Sequence, residues 1–187
     1  FDGDLEREIA IKVVPVGSGW SERQFIREAR VTSSLVHPNV LPVYDVGRVE
    51  DGYYLVLPRI RGQSLRALIR TAIEKGATSA LPPNELVEVI LKVCDALAYA
   101  HDSGVIHQDI KPENIMLGAF GEVMLVDWGA ASVVGEVGSE HPVVGTPSYM
   151  SPEQAQGEKE VPLFDVYALG ATLFHALLLR KPIDEPD

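Results

Sequence analysis

The sequence has one cysteine, Cys94, in 187 residues. That count excludes an internal disulfide, and with it a small scaffold stapled for an oxidising compartment. Basic residues are scarce too: 16 Lys and Arg stand against 27 Asp and Glu, for a net charge of −11 and an isoelectric point near 4.9. Nonspecific binding to nucleic acid or to an anionic membrane needs a basic face, so neither is expected. A local basic groove around a small anion stays compatible with this balance. Long apolar runs are missing as well. The longest, Val166 to Leu179, contains His175 and falls short of the roughly 20 residues that span a bilayer. No signal peptide opens the chain, so a soluble, cytoplasmic protein is expected. His37, His101, His141 and His175 lack metal-ligand spacing, and no zinc site is expected.

What is present is ordinary globular material: 46% hydrophobic, 23% charged, mean hydropathy +0.07. A chain of this size can bury roughly 70% of its unfolded surface. Glu8 to Val14, EIAIKVV, alternates as a strand, with Ile9, Ile11 and Val13 on one face and Ala10, Lys12 and Val14 on the other. Ser21 and Gln24 read as a capping box that opens a helix from Glu22 to about Leu35, with Phe25, Ala29 and Thr32 inward and Glu28 beside them. Strand-like runs at Val43–Val49 and Tyr53–Leu57 are expected to join through an Asp51-Gly52 turn. Pro58 to Gly62 breaks the pattern as a connector, and a short helix follows from Ser64. A longer one carries Leu86, Ile90, Val93, Cys94, Leu97 and His101 at helical spacing. Within it Cys94 is expected to be a buried small hydrophobe. Val105 to Val126 reads as short strands with a hairpin near Phe120-Gly121, and Ala130 to Tyr149 as loop. The last helix is expected over Val166 to Leu179, with Asp165 as its cap. Strands early and helices late predict two lobes with a cleft between them.

Four segments in order carry the chemistry: IAIK (Ile9–Lys12), HQDIKPEN (His107–Asn114), VDWG (Val126–Gly129) and GTPSYMSPE (Gly145–Glu153). Together they resemble the protein kinase superfamily, whose signatures are V-A-I-K, H-R-D with a downstream Asn, D-F-G and A-P-E. The HPNVLPVYDVG and VIHQDIKPENIML stretches are most similar to bacterial kinases of the eukaryotic-like serine/threonine type. The resemblance implies an α+β, two-lobed kinase-like fold truncated at both ends. Residues 1–57 would form a partial strand-rich N-lobe, 58–62 the hinge, and 63–187 a partial helical C-lobe.

It also implies site residues. Asp109 would accept or orient the proton of a substrate hydroxyl, and Lys111 would stand near the γ-phosphate. Lys12, paired with Glu28, would hold the α- and β-phosphates of ATP. Asn114 and Asp127 offer hard oxygens that suit Mg²⁺. Leu57 would be the gatekeeper. The Pro58 carbonyl and the Ile60 N–H would meet adenine, since proline lacks the N–H itself. Ala10 and Met116 would sandwich the base. His107 and Trp128 would stack as scaffold, and Asp165 would bond the catalytic-loop backbone from below. Protein substrates and ATP are the implied partners.

The pattern departs from the family in three places. No G-x-G-x-x-G precedes Lys12, and Gly17-Ser18-Gly19 lies after that lysine, where it reads as a turn. In the family, Glu153 would pair with an arginine in a later helical part that this sequence does not include, so the chain reads as part of a longer kinase. Gln108 replaces the arginine that in many members receives an activation-loop phosphate. A pseudokinase or nucleotide-sensing scaffold is the alternative; the set Lys12, Glu28, Asp109, Asn114 and Asp127 argues against it, because a scaffold has no need of all five. A small-molecule phosphotransferase would not need the GTPSYMSPE platform.

Overall fold

The computed structural model describes residues 1–15, 22–135 and 143–183. Ser21 and the Gly17–Gly19 segment lie outside them. The alternating stretch at the start forms β1 (Ile9–Pro15). It pairs antiparallel with β3 (Gly52–Pro58), which in turn pairs with β2 (Asp45–Val49), in the order β1-β3-β2. Ile11 and Val13 face outward and are exposed, while Val14 turns inward. Helix α1 (Glu22–Ser34) lays Phe25 and Ala29 against Val14 and Leu55 to form a small first core. Val49 pairs with Gly52, so Glu50 and Asp51 make the turn, one residue earlier than the sequence suggested. Gly52 is needed for another reason: a Cβ there would sit 2.4 Å from the Val14 carbonyl oxygen.

The second part begins with β4 (Gly62–Ser64) and α2 (Leu65–Glu74). The Ser64 hydroxyl caps α2 by accepting from the Ala67 N–H at 3.2 Å. Helix α3 (Pro83–Asp102) starts with proline at its first position, where a missing N–H costs nothing. Gly104, at φ +73, turns the chain out of it. Then come β5 (Val105–Ile106), β6 (Ile115–Gly118), β7 (Val123–Leu125), β8 (Ser132–Val133), α4 (Pro152–Ala155) and α5 (Leu163–Leu178). One small sheet runs β4-β6-β7, and another pairs β5 with β8. The main core is built on α3: Leu86, Val93, Leu97 and Ala100 pack with Ile110, Ile115, Leu125 and Leu169. Truncating one of these leucines or isoleucines to alanine costs about 2–5 kcal/mol. This core anchors both ends of the segment between β5 and β6, which carries the H-Q-D residues.

Two expectations are corrected here. Cys94 is exposed. It shares the outer stripe of α3 with Val87 and Leu91, also exposed, while Val89, Val93 and Ala96 take the buried face. Asp165 does not cap α5 from outside. The helix begins at Leu163, and Asp165 lies buried in its first turn.

Candidate active site

Between the two parts lies a cleft of about 420 Å³. Ala10 and Lys12 of β1 line one wall, and Met116, Val126 and Asp127 line the opposite one. Leu57, Pro58, Arg59 and Ile60 close the back, and Asn114, Glu28 and Thr32 also reach it. The mostly apolar lining with a few convergent polar groups is what a small-molecule site requires.

The charged end of the cleft is organised by Lys12. Strand alternation turns its side chain inward, where Nζ lies 2.7 Å from Glu28 Oε1 and 3.0 Å from Asp127 Oδ1. Burial works against the ammonium, but the bond to Glu28 and the charge of Asp127 outweigh it, so the lysine pKa is raised. Glu28 is far more buried than its partner. Its burial dominates the attraction of Lys12 and lifts its carboxyl above the usual range, with repulsion from Asp127 adding to the rise. Its second oxygen, Oε2, is buried without a hydrogen-bond partner among the described residues. The preceding residue of the helix, Arg27, donates Nη1 to the Ala131 carbonyl and ties α1 to the segment after Asp127. Asp127 itself holds a left-handed backbone, φ +64, a conformation that costs a non-glycine residue about 1–2 kcal/mol.

The second group of polar residues sits on the segment between β5 and β6. Asp109 Oδ2 accepts from Lys111 Nζ at 2.6 Å. The Thr146 hydroxyl donates to Asp109 Oδ1 at 2.7 Å and accepts from Lys111 Nζ at 2.9 Å. Asn114 Nδ2 donates to the Asp109 carbonyl oxygen at 2.9 Å. Beneath, Asp165 accepts from the His107 N–H at 2.9 Å and the Gln108 N–H at 2.8 Å, and His101 Nε2 lies 2.7 Å from the same carboxylate. This buried carboxylate holds Gln108 at φ +67, a strained state that persists only when its surroundings fix it. His107 packs against Trp128 with ring centroids 4.6 Å apart. Its Nε2–H points to the Val126 carbonyl, and its Nδ1 accepts from the Asp109 N–H.

Sequence comparison agrees with this geometry. The family model for the protein kinase domain matches residues 2–187. The chain belongs to the protein kinase domain family. It is 36% identical to the serine/threonine-protein kinase PrkC of Bacillus subtilis, over 96% of this chain and 28% of that protein. It is 33% identical to PknD of Protochlamydia amoebophila over 97% of this chain and 21% of the relative, and 34% identical to PknD of Chlamydia pneumoniae over 97% and 22%. The chain thus spans under a third of the length of these curated relatives. The strand-rich first part and helical second part are the two lobes of the kinase fold.

Within that fold, the nucleotide-side residues expected from sequence, Ala10, Lys12, Glu28, Leu57, Pro58, Ile60, Asn114, Met116 and Asp127, all line the one cleft. Asp109 and Lys111 are joined to it through Asn114. Sequence reasoning missed three contributors. The Glu8 carboxylate takes Arg61 and also Arg59, a residue of the cleft lining; the spacing of one acid and two basic residues gave no hint of this. Thr146 entered only as part of the GTPSYMSPE segment, and its hydroxyl is engaged by Asp109 and Lys111. Gln154, one residue past the S-P-E motif, is buried with its amide aimed at two loops.

Proposed function

We propose that this kinase domain transfers the γ-phosphoryl group of ATP to serine and threonine hydroxyls of protein substrates. The carrying observation is the Thr146 hydroxyl held between Asp109 Oδ1 and Lys111 Nζ. An aliphatic hydroxyl fits there with its proton on the carboxylate and its oxygen beside a cation. Phosphoryl transfer asks a protein mainly for in-line placement and charge neutralisation. The acceptor oxygen forms its bond to the γ-phosphorus as the bond to the β–γ bridging oxygen breaks. ADP leaves, and the hydroxyl proton passes to Asp109. Lys111 offsets charge on the transferring group. Lys12, oriented by Glu28, holds the α- and β-phosphates, and Pro58 and Ile60 offer a carbonyl and an N–H to adenine between Ala10 and Met116. Leu57 limits the depth of the pocket.

Asn114 and Asp127 suit Mg²⁺, which would neutralise phosphate charge. Asn114 commits its amide nitrogen to Asp109, which leaves its oxygen as the ligating end. Asp127 gives one oxygen to Lys12 and is about half exposed to the cleft. These are hard oxygen donors, as that ion requires.

The test is phosphoamino-acid analysis of a generic protein substrate incubated with labelled ATP and the full-length protein. Phosphoserine or phosphothreonine is expected. Predominant phosphotyrosine, or nucleotide binding with no transfer, would reject the proposal.

A further inference from the structure

The catalytic loop and the loop that presents Thr146 meet at a residue with no part in the chemistry. Gln154 stands in the last turn of the short helix α4 and is 4% exposed. Its Nε2 lies 2.8 Å from the Gln108 carbonyl oxygen and 2.9 Å from the Val144 carbonyl oxygen. Both partners are acceptors only, so the amide must present its two N–H groups to them.

The two carbonyls are placed to matter. Gln108 immediately precedes Asp109, and its left-handed backbone turns its carbonyl away from the chain's regular bonding. Val144 lies two residues before Thr146. Between them Gly145, at φ +117, comes so near that a Cβ would sit 2.7 Å from the Gln108 oxygen and 3.1 Å from Gln154 Nε2. The Thr146 hydroxyl then closes back on Asp109 at 2.7 Å. The result is a closed ring: Asp109, Gln108, the Gln154 amide, Val144, Gly145, Thr146, and Asp109 again. Every non-covalent link in it is a hydrogen bond.

We infer that Gln154 is a positioning residue, which sets Asp109 against the acceptor hydroxyl by clamping the backbones of the two loops to one amide. The inference rests on the proposed kinase activity. Removing the amide would leave two carbonyls buried without partners, a penalty that the two loops, no longer clamped, can relieve by moving apart. A displacement of about 1 Å at a reacting carboxylate is enough to cost on the order of a hundredfold in rate. Asn114 joins the nucleotide cleft to this ring through the Asp109 carbonyl, but the rest of the cleft lining stands on other elements, so nucleotide affinity should change little.

The experiment compares full-length wild type with Gln154→Leu and Gln154→Glu, each with and without Thr146→Val. Wild type must first phosphorylate a protein substrate; if it does not, the proposed function fails and not this inference. With an active wild type, both single variants should lose ten- to a hundredfold in kcat while the nucleotide Kd stays within twofold. Gln154→Glu keeps length and volume, and its carboxyl can donate one hydrogen when protonated. Its deficit relative to wild type should therefore shrink as pH is lowered. The two loops act through one ring, so the loss should be much smaller in the Thr146→Val background. Unchanged kcat, full additivity with Thr146→Val, or a joint loss of kcat and nucleotide affinity, as from misfolding, would each overturn the inference.

Discussion

The two halves of this site are held by different forces. On the proposed nucleotide side, Lys12 of β1 and Glu28 of α1 pair within the first lobe, and Lys12 reaches the second lobe as an ion pair with Asp127 across the cleft. On the acceptor side, Asp109, Lys111, Asn114, Thr146, Gln154 and Asp165 all belong to one lobe, and most of their links are hydrogen bonds to backbone or neutral groups. Ion pairs across a cleft form or break with lobe position, whereas a ring of short bonds over a packed core stays put. The nucleotide side is therefore the adjustable half and the acceptor side the fixed one.

The strongest way to break that contrast is to remove one carboxylate from each half. In a full-length protein, Asp109→Asn should lower kcat by about 10²–10⁴-fold with nucleotide affinity little changed, as expected for a lost general base. Asp127→Asn should abolish Mg²⁺-dependent transfer and weaken nucleotide binding together. Steady-state kinetics and nucleotide titrations separate the two patterns. Normal turnover in the Asp109 variant would remove it from the assignment.

A smaller effect is expected at Glu28. Its carboxyl is buried and already biased toward protonation by that burial, so Glu28→Gln keeps shape and loses only the charge that orients Lys12. Activity should fall about tenfold to a hundredfold, mostly as a higher KM for ATP. Lys12→Met should be worse, because it leaves a buried carboxylate without its cation. An equal loss in both variants, carried entirely by kcat, would contradict the division drawn between the two halves.

How far the site could be read beforehand follows the same division. Residues fixed by a motif were legible: strand alternation gave Lys12 only a face, the IAIK resemblance turned that face toward the cleft, and the Asp109-to-Asn114 spacing placed both on one loop. Contacts between distant loops were not. Nothing in the order of residues says that Gln154 reaches back 46 positions to the Gln108 carbonyl, or that Glu8 takes arginines more than 50 positions on. Cys94 was misjudged because a helix with a broad apolar pattern has two edges to its buried stripe, and spacing alone does not say which one meets the core. The Asp51-Gly52 turn slipped by one residue because the glycine answers to the Val14 carbonyl and not to the turn.

Activation-loop phosphate should count for little. Glutamine at position 108 has no charge to receive it, and the small cavity that Gln108 lines is shared with Glu158 and Glu160. Ser148 is buried and Thr146 is engaged by Asp109 and Lys111, while Ser132 lies in β8, paired with Ile106 of β5; Ser139 lies outside the described residues. Phosphatase treatment of the full-length enzyme should change activity less than tenfold, about 1.4 kcal/mol in barrier terms. Alanine at Ser132, Ser139 and Ser148 should agree. A loss of a hundredfold or more on dephosphorylation would overturn this.

The smallest effect concerns pH and the floor of the acceptor side. His107 is fully buried, and burial holds its imidazole well below the ordinary value, against the opposing pull of Asp165, Asp109 and Asp127. The hydrogen bonds demand the same neutral form: Nε2–H meets the Val126 carbonyl, and Nδ1 accepts from the Asp109 N–H, so a second proton would displace that bond. Above about pH 6.5 the ring is neutral in both folded and unfolded chains, and its contribution is fully present. As pH falls below that value the unfolded chain takes up a proton that the folded one refuses, so stability declines toward the folded pKa. One group can give at most about 1.4 kcal/mol per pH unit. His175, also held low by burial, adds a similar slope. Urea unfolding between pH 7.5 and 5 should therefore show falling stability, and His107→Phe should flatten that fall by up to one proton whatever its own cost. An unchanged slope in the variant would mean that His107 is charged in the folded protein, and that its ring does not accept from the Asp109 amide.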